Sequence, residues 1–138
     1  MMTDWTHRQL SMSTDQGIIE SCTFEYKLGH PVELIASSPS IGRLEISADD
    51  LFEALNQVRL AGEKNKFLLL CNGARADSYP SRMSRQMRHG AQTYIFKYGV
   101  HAKRDDLVDL LDPATYDQVT TVAEQKKNFD DWLNSLGH

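Results

Sequence analysis

Cys71 ends an apolar run of strand length, FLLLC, and the turn Asn72-Gly73 follows it directly. A thiol at such a turn could act as a nucleophile, with His89 or His101 as the general base. A nucleophile elbow also needs glycines on both sides of the nucleophile, so that other backbone segments can approach closely. The stretch LCNGA has one glycine, at the wrong spacing, so the sequence favours an inert core thiol over a small enzyme that uses Cys71.

The segment SRMSRQMRHG has the chemistry of a phosphate-binding site, because it combines three arginines with two serines at the start of a predicted helix. Arg82, Arg85 and Arg88 would then contact a nucleic-acid backbone. The segment lacks an aromatic residue that could stack on a base, and the whole chain has a net charge of −4. A nucleic-acid-binding adaptor is therefore the second alternative, and the residues argue against it.

Three pairs of adjacent carboxylates also resemble catalytic residues, namely Asp49/Asp50, Asp105/Asp106 and Asp130/Asp131. Neighbours in sequence diverge on a helix, so the members of a pair cannot converge on one substrate, and helix caps or solvated faces explain them better. The sequence contains no glycine-rich phosphate loop, HExxH motif or EF-hand pattern. The absence of a convergent catalytic set argues against an enzyme, and no residue pattern indicates a metal site.

The elements that must position these residues alternate between strand and helix patterns. The sequence predicts an α/β (α+β) fold in one domain over residues 1–138, with a mixed sheet of five or six strands and helices packed on it. An N-terminal antiparallel hairpin is expected to begin this sheet, and residues 1–16 are expected to form a loose arm. Strands are predicted over 18–26, 32–36, 43–46, 67–71, 91–98 and 107–111, and helices over 48–61, between 80 and 90, and over 122–136.

Local signals indicate where the first two of these helices begin and end. Ser47 can cap the helix over 48–61, Asp49 and Asp50 then lie at the positive end of its dipole, and Gly62 is a natural stop. Pro80 suits the first position of the second helix.

The last helix and the FLLLC run have the strongest patterns. Thr121 followed by Glu124 forms a capping-box signature, and the helix is expected to pack Trp132 against the sheet. The continuous apolar run over 67–71 is typical of a central strand that is covered on both faces.

The composition is that of a globular protein, with 41% hydrophobic and 25% charged residues. The start of the chain has neither the basic region nor the apolar run of a signal peptide, and no apolar stretch approaches the ~20 residues that span a bilayer. Cys22 and Cys71 lie in apolar runs without metal-ligand spacing, which predicts reduced core thiols. We expect a cytoplasmic protein that does not interact with membranes.

Charge is segregated along the chain. Residues 75–104 hold seven basic side chains against Asp77, whereas residues 105–138 hold eight acidic side chains against two lysines. Surfaces of opposite sign suit electrostatic pairing with a charged protein partner, although faces of alternating sign can also serve solubility alone.

Four stretches carry a resemblance to a known family: LLLCNGARADSYPSRMSRQM, HGAQTYIF, LVDLLDPA and VTTVAEQKKNFDDWLNSL. Together they resemble bacterial immunity proteins of polymorphic toxin systems, the kind found in contact-dependent growth inhibition. The most specific part of the resemblance is a core formed by Asn72, Gly73, Arg75, Tyr79, Pro80, Ser81, Met83 and Met87. The chain departs from the pattern after Met87, where Arg88-His89-Gly90 stands in place of the expected glycines.

The resemblance implies a cytoplasmic toxin inhibitor that acts by protein–protein interaction, binding one cognate toxin domain without a cofactor or turnover. Many such toxins are nucleases with basic clefts, so acidic residues of 45–53 and 105–112 are the preferred contact surface. Within these ranges, the candidate contact residues are Asp49, Asp50, Glu53, Asp105 and Asp106. Arg75, Arg82 and Arg85 are the further candidates for recognition, and the stretch that contains them could instead be purely structural.

Overall fold

The computed structural model describes residues 5–137 and contains, within them, eight strands and three helices. The strands are β1 (Thr6–Ser13), β2 (Ile19–Lys27), β3 (Val32–Ser38), β4 (Gly42–Ala48), β5 (Leu68–Leu69), β6 (Ser78–Tyr79), β7 (Gln92–Ile95) and β8 (Leu107–Asp109). The helices are α1 (Leu51–Glu63), α2 (Arg82–Met87) and α3 (Val122–Ser135). The predicted α/β class is confirmed. None of the helices in this part of the chain is long and apolar enough to cross a membrane.

The larger sheet has the strand order β4-β3-β2-β1-β5, and all its neighbouring strands are antiparallel. Strands β2 and β3 form the predicted hairpin, with Phe24 opposite Ala36 and Tyr26 opposite Leu34. These four side chains are buried while their polar neighbours along each strand face outward, as the two-residue period of a half-buried strand requires. The hairpin prediction is confirmed.

The prediction of a loose arm over residues 1–16 is wrong for β1. Residues 6–13 pair along their whole length with β2, and Met12 and Ser13 also pair with β5. The strand has an inward face on which Leu10 and Met12 are buried, but the polar residues between them hide that alternation in the sequence. Residues 1–4 of the predicted arm lie outside the described residues.

Helix α1 covers the larger sheet with an apolar face that includes Leu51, Leu55 and Val58. Its N-cap is Asp50, whose carboxylate accepts a hydrogen bond from the backbone of the third helical residue, so the prediction that Ser47 caps the helix is wrong. The predicted stop at Gly62 is also wrong. Gly62 is buried inside the helix, where an added Cβ would lie 3.4 Å from the carbonyl oxygen of Phe67, an ordinary van der Waals distance, so packing alone does not require a glycine here.

Residues 67–71 do not form a central strand as predicted. Only Leu68–Leu69 is a strand, and it lies at the edge of the larger sheet beside β1. Leu69 is nevertheless buried, because α1 and a later segment with Leu110 and Val119 pack around this edge. A buried strand and a central strand have the same apolar sequence, which is the reason for the error.

The smaller sheet has the order β6-β7-β8, and its strands are shorter than predicted for 91–98 and 107–111. Before it, residues 72–74 form the predicted break as a 3-10 turn. Gly73 in that turn packs directly on Leu55, and an added Cβ would lie 2.5 Å from the Cδ2 atom of this leucine. A side chain is therefore excluded at Gly73 by the core beneath the turn.

Helix α3 has the predicted N-cap, because the Thr121 hydroxyl accepts a hydrogen bond from the Glu124 backbone. Trp132 lies beside the smaller sheet, where its ring stacks on Phe96 with 5.2 Å between centroids. Its indole nitrogen donates to the carbonyl oxygen of Val100 at 2.8 Å, and the side chain is half-buried. Trp132 thus closes the edge of the core and is not enclosed by it.

A buried arginine joins α1, α3 and the turn between the two sheets. Arg59 is 2% exposed and donates to the side-chain oxygen of Gln125 at 2.6 Å and to the carbonyl oxygens of Gly73 and Thr120 at 3.2 and 3.0 Å. The Gln125 amide donates to the carbonyl oxygens of Gly73 and Arg75 at 2.8 and 3.0 Å. Burial lowers the pKa of Arg59 below its ordinary value. The dipoles of these oxygen acceptors stabilise the charge of the guanidinium. We call this set of contacts the Arg59 network.

We expect Gln125→Leu to destabilise the fold by about 2 to 3 kcal/mol, because the buried Arg59 guanidinium loses one of its acceptors and the carbonyl oxygens of Gly73 and Arg75 lose the amide that donates to them. Urea unfolding measures this loss as a lower midpoint. Lys127→Leu on the exposed side of α3 removes only a surface ion pair with Asp131 and is the control, with an expected change of about 0.5 kcal/mol. Equal losses in both variants would show that the network does not stabilise the fold.

Candidate functional site

Helix α2 is short and is fixed by the hydroxyls of two serines. Ser81 is its N-cap and accepts a hydrogen bond from the Ser84 backbone at 3.0 Å, so the helix starts at Arg82 and the prediction of Pro80 as its first residue is wrong. Ser84 is buried, and its hydroxyl donates to the carbonyl oxygen of Gln92 in β7 at 3.0 Å. The Ser84 contact attaches one side of α2 to the smaller sheet.

An ion pair attaches α2 to the start of α1. The Arg85 Nε atom lies 2.7 Å from an oxygen of Asp50, and the other oxygen of this carboxylate accepts from the Glu53 backbone at 2.8 Å. The guanidinium also lies 5.4 Å from the centre of the Phe52 ring, within the range of a cation–π contact. Asp50 is 4% exposed, so a buried carboxylate determines where α2 lies.

The chain leaves α2 through a tight turn against the same carboxylate. His89 and Gly90 have φ angles of 55° and 68°, and the His89 carbonyl oxygen accepts from the Leu51 backbone at 2.7 Å. An added Cβ at Gly90 would lie 3.0 Å from the Cβ of Asp50. Glycine is needed here both for its backbone conformation and for the close approach to α1.

A large groove of about 950 Å³ lies on one side of α2. Its wall contains Tyr79 and Phe129, whose rings stack with 4.1 Å between centroids, and the Lys126 ammonium lies 5.5 Å from the centre of the Phe129 ring. We call this the large groove; its lining residues are His30, Pro31, Asp49, Asp50, Tyr79, Pro80, Arg82, Arg85, Gln86, Lys126, Phe129 and Leu133. The combination of aromatic and charged side chains suits recognition of a polar surface with an apolar centre.

The second groove, of about 580 Å³, lies beside two exposed methionines of α2. Met83 and Met87 are 71% and 75% exposed and share one helix face, as their spacing of four predicts. We call this the small groove; its lining residues are Ser81, Met83, Ser84, Met87, Arg88, Tyr94, Ala102, Lys103, Arg104 and Leu107. Helix α2 therefore contributes side chains to both grooves.

The large groove brings together four of the residues proposed from the sequence as partner contacts: Asp49, Asp50, Arg82 and Arg85. Asp49 and Arg82 are exposed, whereas Asp50 and Arg85 are paired with each other. The expectation that Asp50 acts as an exposed contact charge is therefore wrong, because its carboxylate is buried as a cap and an ion-pair partner. Glu53 belongs to the same cap, since it accepts from the Asp49 backbone at 3.1 Å.

The other proposed contact residues lie outside both grooves. Arg75 forms a bidentate ion pair with Asp77, with hydrogen bonds of 2.8 and 2.9 Å, and this pair raises the pKa of Arg75. Two donors of the guanidinium are therefore already used within the chain. Asp106 accepts from the backbone of Lys103 at 2.8 Å and closes the turn before β8, while Asp105 is exposed on that turn. Of the two predicted acidic blocks, only the first therefore contributes acidic side chains to one of the two grooves.

Cys71 lacks the environment that a nucleophilic thiol needs. Its side chain is fully buried, and this burial raises the pKa of the thiol to about 11. A reactive cysteine has a depressed pKa and access to its substrate, and Cys71 lines neither groove. These properties favour the core-thiol interpretation.

The three arginines proposed for nucleic-acid binding do not form one surface. Arg82 and Arg85 line the large groove, and Arg85 is neutralised by Asp50 there. Arg88 lines the small groove and donates to the side-chain oxygen of Gln92 at 3.2 Å. This division weakens the adaptor alternative.

The sequence analysis missed the contribution of α3 and of the turn before β3 to the large groove. Lys126, Phe129 and Leu133 recur at helical spacing and could have been identified as one face of the predicted last helix. His30 and Pro31 fall between the predicted strands 18–26 and 32–36, where the sequence indicates only a turn. Their position beside α2 depends on the register of the larger sheet, which cannot be read from the sequence.

Comparisons with known proteins add no relative. No known protein family matches the chain, and no curated protein is significantly similar to it. Within residues 5–137, no cluster of three or more His, Cys, Asp or Glu side chains could hold a metal ion. The function has to be argued from α2 and its two grooves.

We expect Asp50→Asn to loosen α2 while leaving the larger sheet intact. Asparagine can still cap α1, but the charge-assisted bond to Arg85 is lost, at a cost of about 1 to 2 kcal/mol. Hydrogen exchange should become faster over residues 82–90 and stay unchanged in β2 and β3. Asp49→Asn removes an exposed charge next to it and should change stability by less than about 0.5 kcal/mol. Unchanged exchange over residues 82–90 in Asp50→Asn would show that another contact anchors α2.

Proposed function

We propose that this chain is a cytoplasmic immunity protein that binds a cognate toxin domain in the cell that makes it, and that the toxin contacts the face built by α2. The observation that carries the proposal is the exposure of Met83 and Met87, at 71% and 75%, on a helix that is anchored on its other sides. The two methionines also belong to the motif that resembles immunity proteins.

Exposed methionines at this spacing favour a binding surface. A single exposed apolar side chain is common, but two long apolar side chains on one helix face form a continuous patch that gains free energy when a partner covers it. Methionine is unbranched and polarisable, so it adapts to the shape of a partner. The large groove continues the surface across α2 with the stacked rings of Tyr79 and Phe129.

The anchoring of α2 favours tight binding. An immunity protein must hold its toxin with roughly nanomolar affinity or better, which corresponds to about −12 kcal/mol. Association costs less when the contact surface is already ordered, because less conformational entropy is lost. Ser84 and the Arg85–Asp50 ion pair provide this order from two sides of α2.

Exposed charges of both signs at the large groove can give specificity. Asp49 and Arg82 are exposed and line it together, so a partner must present a cation and an anion at matching positions. A toxin with a different charge arrangement would leave one of them desolvated and unpaired, which disfavours binding.

The protein encoded beside this chain in the genome is the natural toxin candidate, and its C-terminal domain is the test ligand. We expect co-expression of this chain to rescue growth of cells that produce the domain. Met83→Ala/Met87→Ala should weaken the complex by about tenfold or more in calorimetry, since it removes apolar contacts from the centre of the interface.

Ile18→Ala/Ile19→Ala is the matched control, because these residues, just before β2 and at its first position, are 58% and 67% exposed. The control should bind like the wild type. Failure of the wild type to bind or to protect would contradict the immunity function. Equal binding by the methionine variant and the control would contradict the placement of the interface on α2.

A further inference from the structure

We propose that the small groove binds an acidic segment of the partner that inserts an apolar side chain between Met83 and Met87. This inference rests on the proposed function, because it takes the partner to be a protein. It assigns a chemistry to the part of the partner that faces the side of α2 opposite the large groove.

The large apolar side chains that line the small groove are Met83, Met87, Tyr94 and Leu107, and we call them its floor. Met83 and Met87 form one side, and Tyr94 and Leu107 of the smaller sheet line the other. The methionine side chains are largely in contact with water in the free protein. An apolar side chain of the partner would remove that surface from water, which is the principal source of free energy in such a contact.

The rim of the small groove is basic. Arg88, Lys103 and Arg104 all line it, and no acidic residue does. Within residues 5–137, none of these three side chains makes an ion pair, and all three are exposed. The rim therefore offers three cations whose charge no carboxylate of the described chain neutralises by direct contact.

Two carboxylates lie close to this rim but outside the small groove. Asp106 is engaged in closing the turn that carries Lys103, through the hydrogen bond described above. Asp105 is exposed on the same turn and lowers the local positive potential without entering the groove. The groove itself stays cationic, so carboxylates that flank an apolar anchor are the complementary groups.

The apolar floor favours an acidic protein segment over a nucleic acid. Phosphate groups could pair with the three cations, but they would leave the methionines exposed, because bases are held mainly by aromatic stacking. Tyr94 is the one aromatic residue among those that line the small groove. A segment with an apolar side chain between carboxylates satisfies the floor and the rim together.

Methionine methyl NMR can test this inference without the toxin. The sequence has five methionines, and Met12, which is fully buried, serves as an internal reference for the fold. The acidic peptide Glu-Glu-Leu-Phe-Glu-Glu should shift the methyl signals of Met83 and Met87 and leave that of Met12 unchanged. The basic peptide Lys-Lys-Leu-Phe-Lys-Lys should bind about tenfold more weakly, because it repels the rim.

Lys103→Glu/Arg104→Glu should reverse the preference between the two peptides. Arg43→Glu/Lys64→Glu is the matched control, because it makes the same charge change at exposed positions on β4 and after α1. The control should keep the preference for the acidic peptide.

Equal or tighter binding of the basic peptide by the wild type would overturn the inference, and so would the absence of shifts at Met83 and Met87. Shifts caused by a single-stranded RNA oligonucleotide but not by the acidic peptide would overturn it in favour of nucleic-acid binding. If the toxin domain binds through α2 while the acidic peptide does not shift the methionines, the proposed function stands and this inference fails. If the acidic peptide binds and the toxin domain does not, the proposed function fails and the assignment of the small groove to an acidic segment stands.

Discussion

The Arg59 guanidinium is buried among four oxygen acceptors. The rest of the structure depends on the elements that provide these acceptors. A charge in such a place is stable only when its donors are satisfied, so α1, the turn at Gly73 and the start of α3 must come together. Gln125 fixes the rotation of α3 about its axis through its bonds to Arg59 and to the turn. Phe129, one turn further along α3, can then stack on Tyr79, and one wall of the large groove follows from this contact.

A second polar contact fixes the other wall. The Asp50 carboxylate caps α1 and pairs with Arg85, so the end of the helix that covers the sheet also locates α2. With six residues, α2 is too short to be a stable helix by itself. It persists because Ser81 caps it and because Ser84 and Arg85 connect it to its surroundings, and this leaves Met83 and Met87 free to face solvent. The exposed residues are thus presented by a helix whose other contacts are polar and specific.

Local patterns sufficed to predict the hairpin of β2 and β3, the positions of α1 and α3, and the cap at Thr121. They failed where tertiary pairing decides the structure. The polar residues of β1 hide a strand that is paired on one side along its whole length, and the apolar 67–71 run lies at a sheet edge that other segments cover. For the candidate site, the arginines and aspartates near α2 could be selected from sequence, but the burial of Asp50 could not. Phe129 could be assigned to one face of the last helix, but its place in the large groove could not be predicted, because it depends on the long-range contact between Gln125 and Arg59.

If the partner contacts the face built by α2, hydrogen exchange on the complex with the toxin domain should show that face covered. We predict slower hydrogen exchange over residues 81–95 and 102–107 when the toxin domain is bound, because α2 and both sides of the small groove become covered. Exchange in β2, β3 and β4 should stay the same, apart from the turn at His30 that reaches the large groove. Protection confined to the strands of the larger sheet, with no change over residues 81–95, would contradict contact of the partner with the face built by α2.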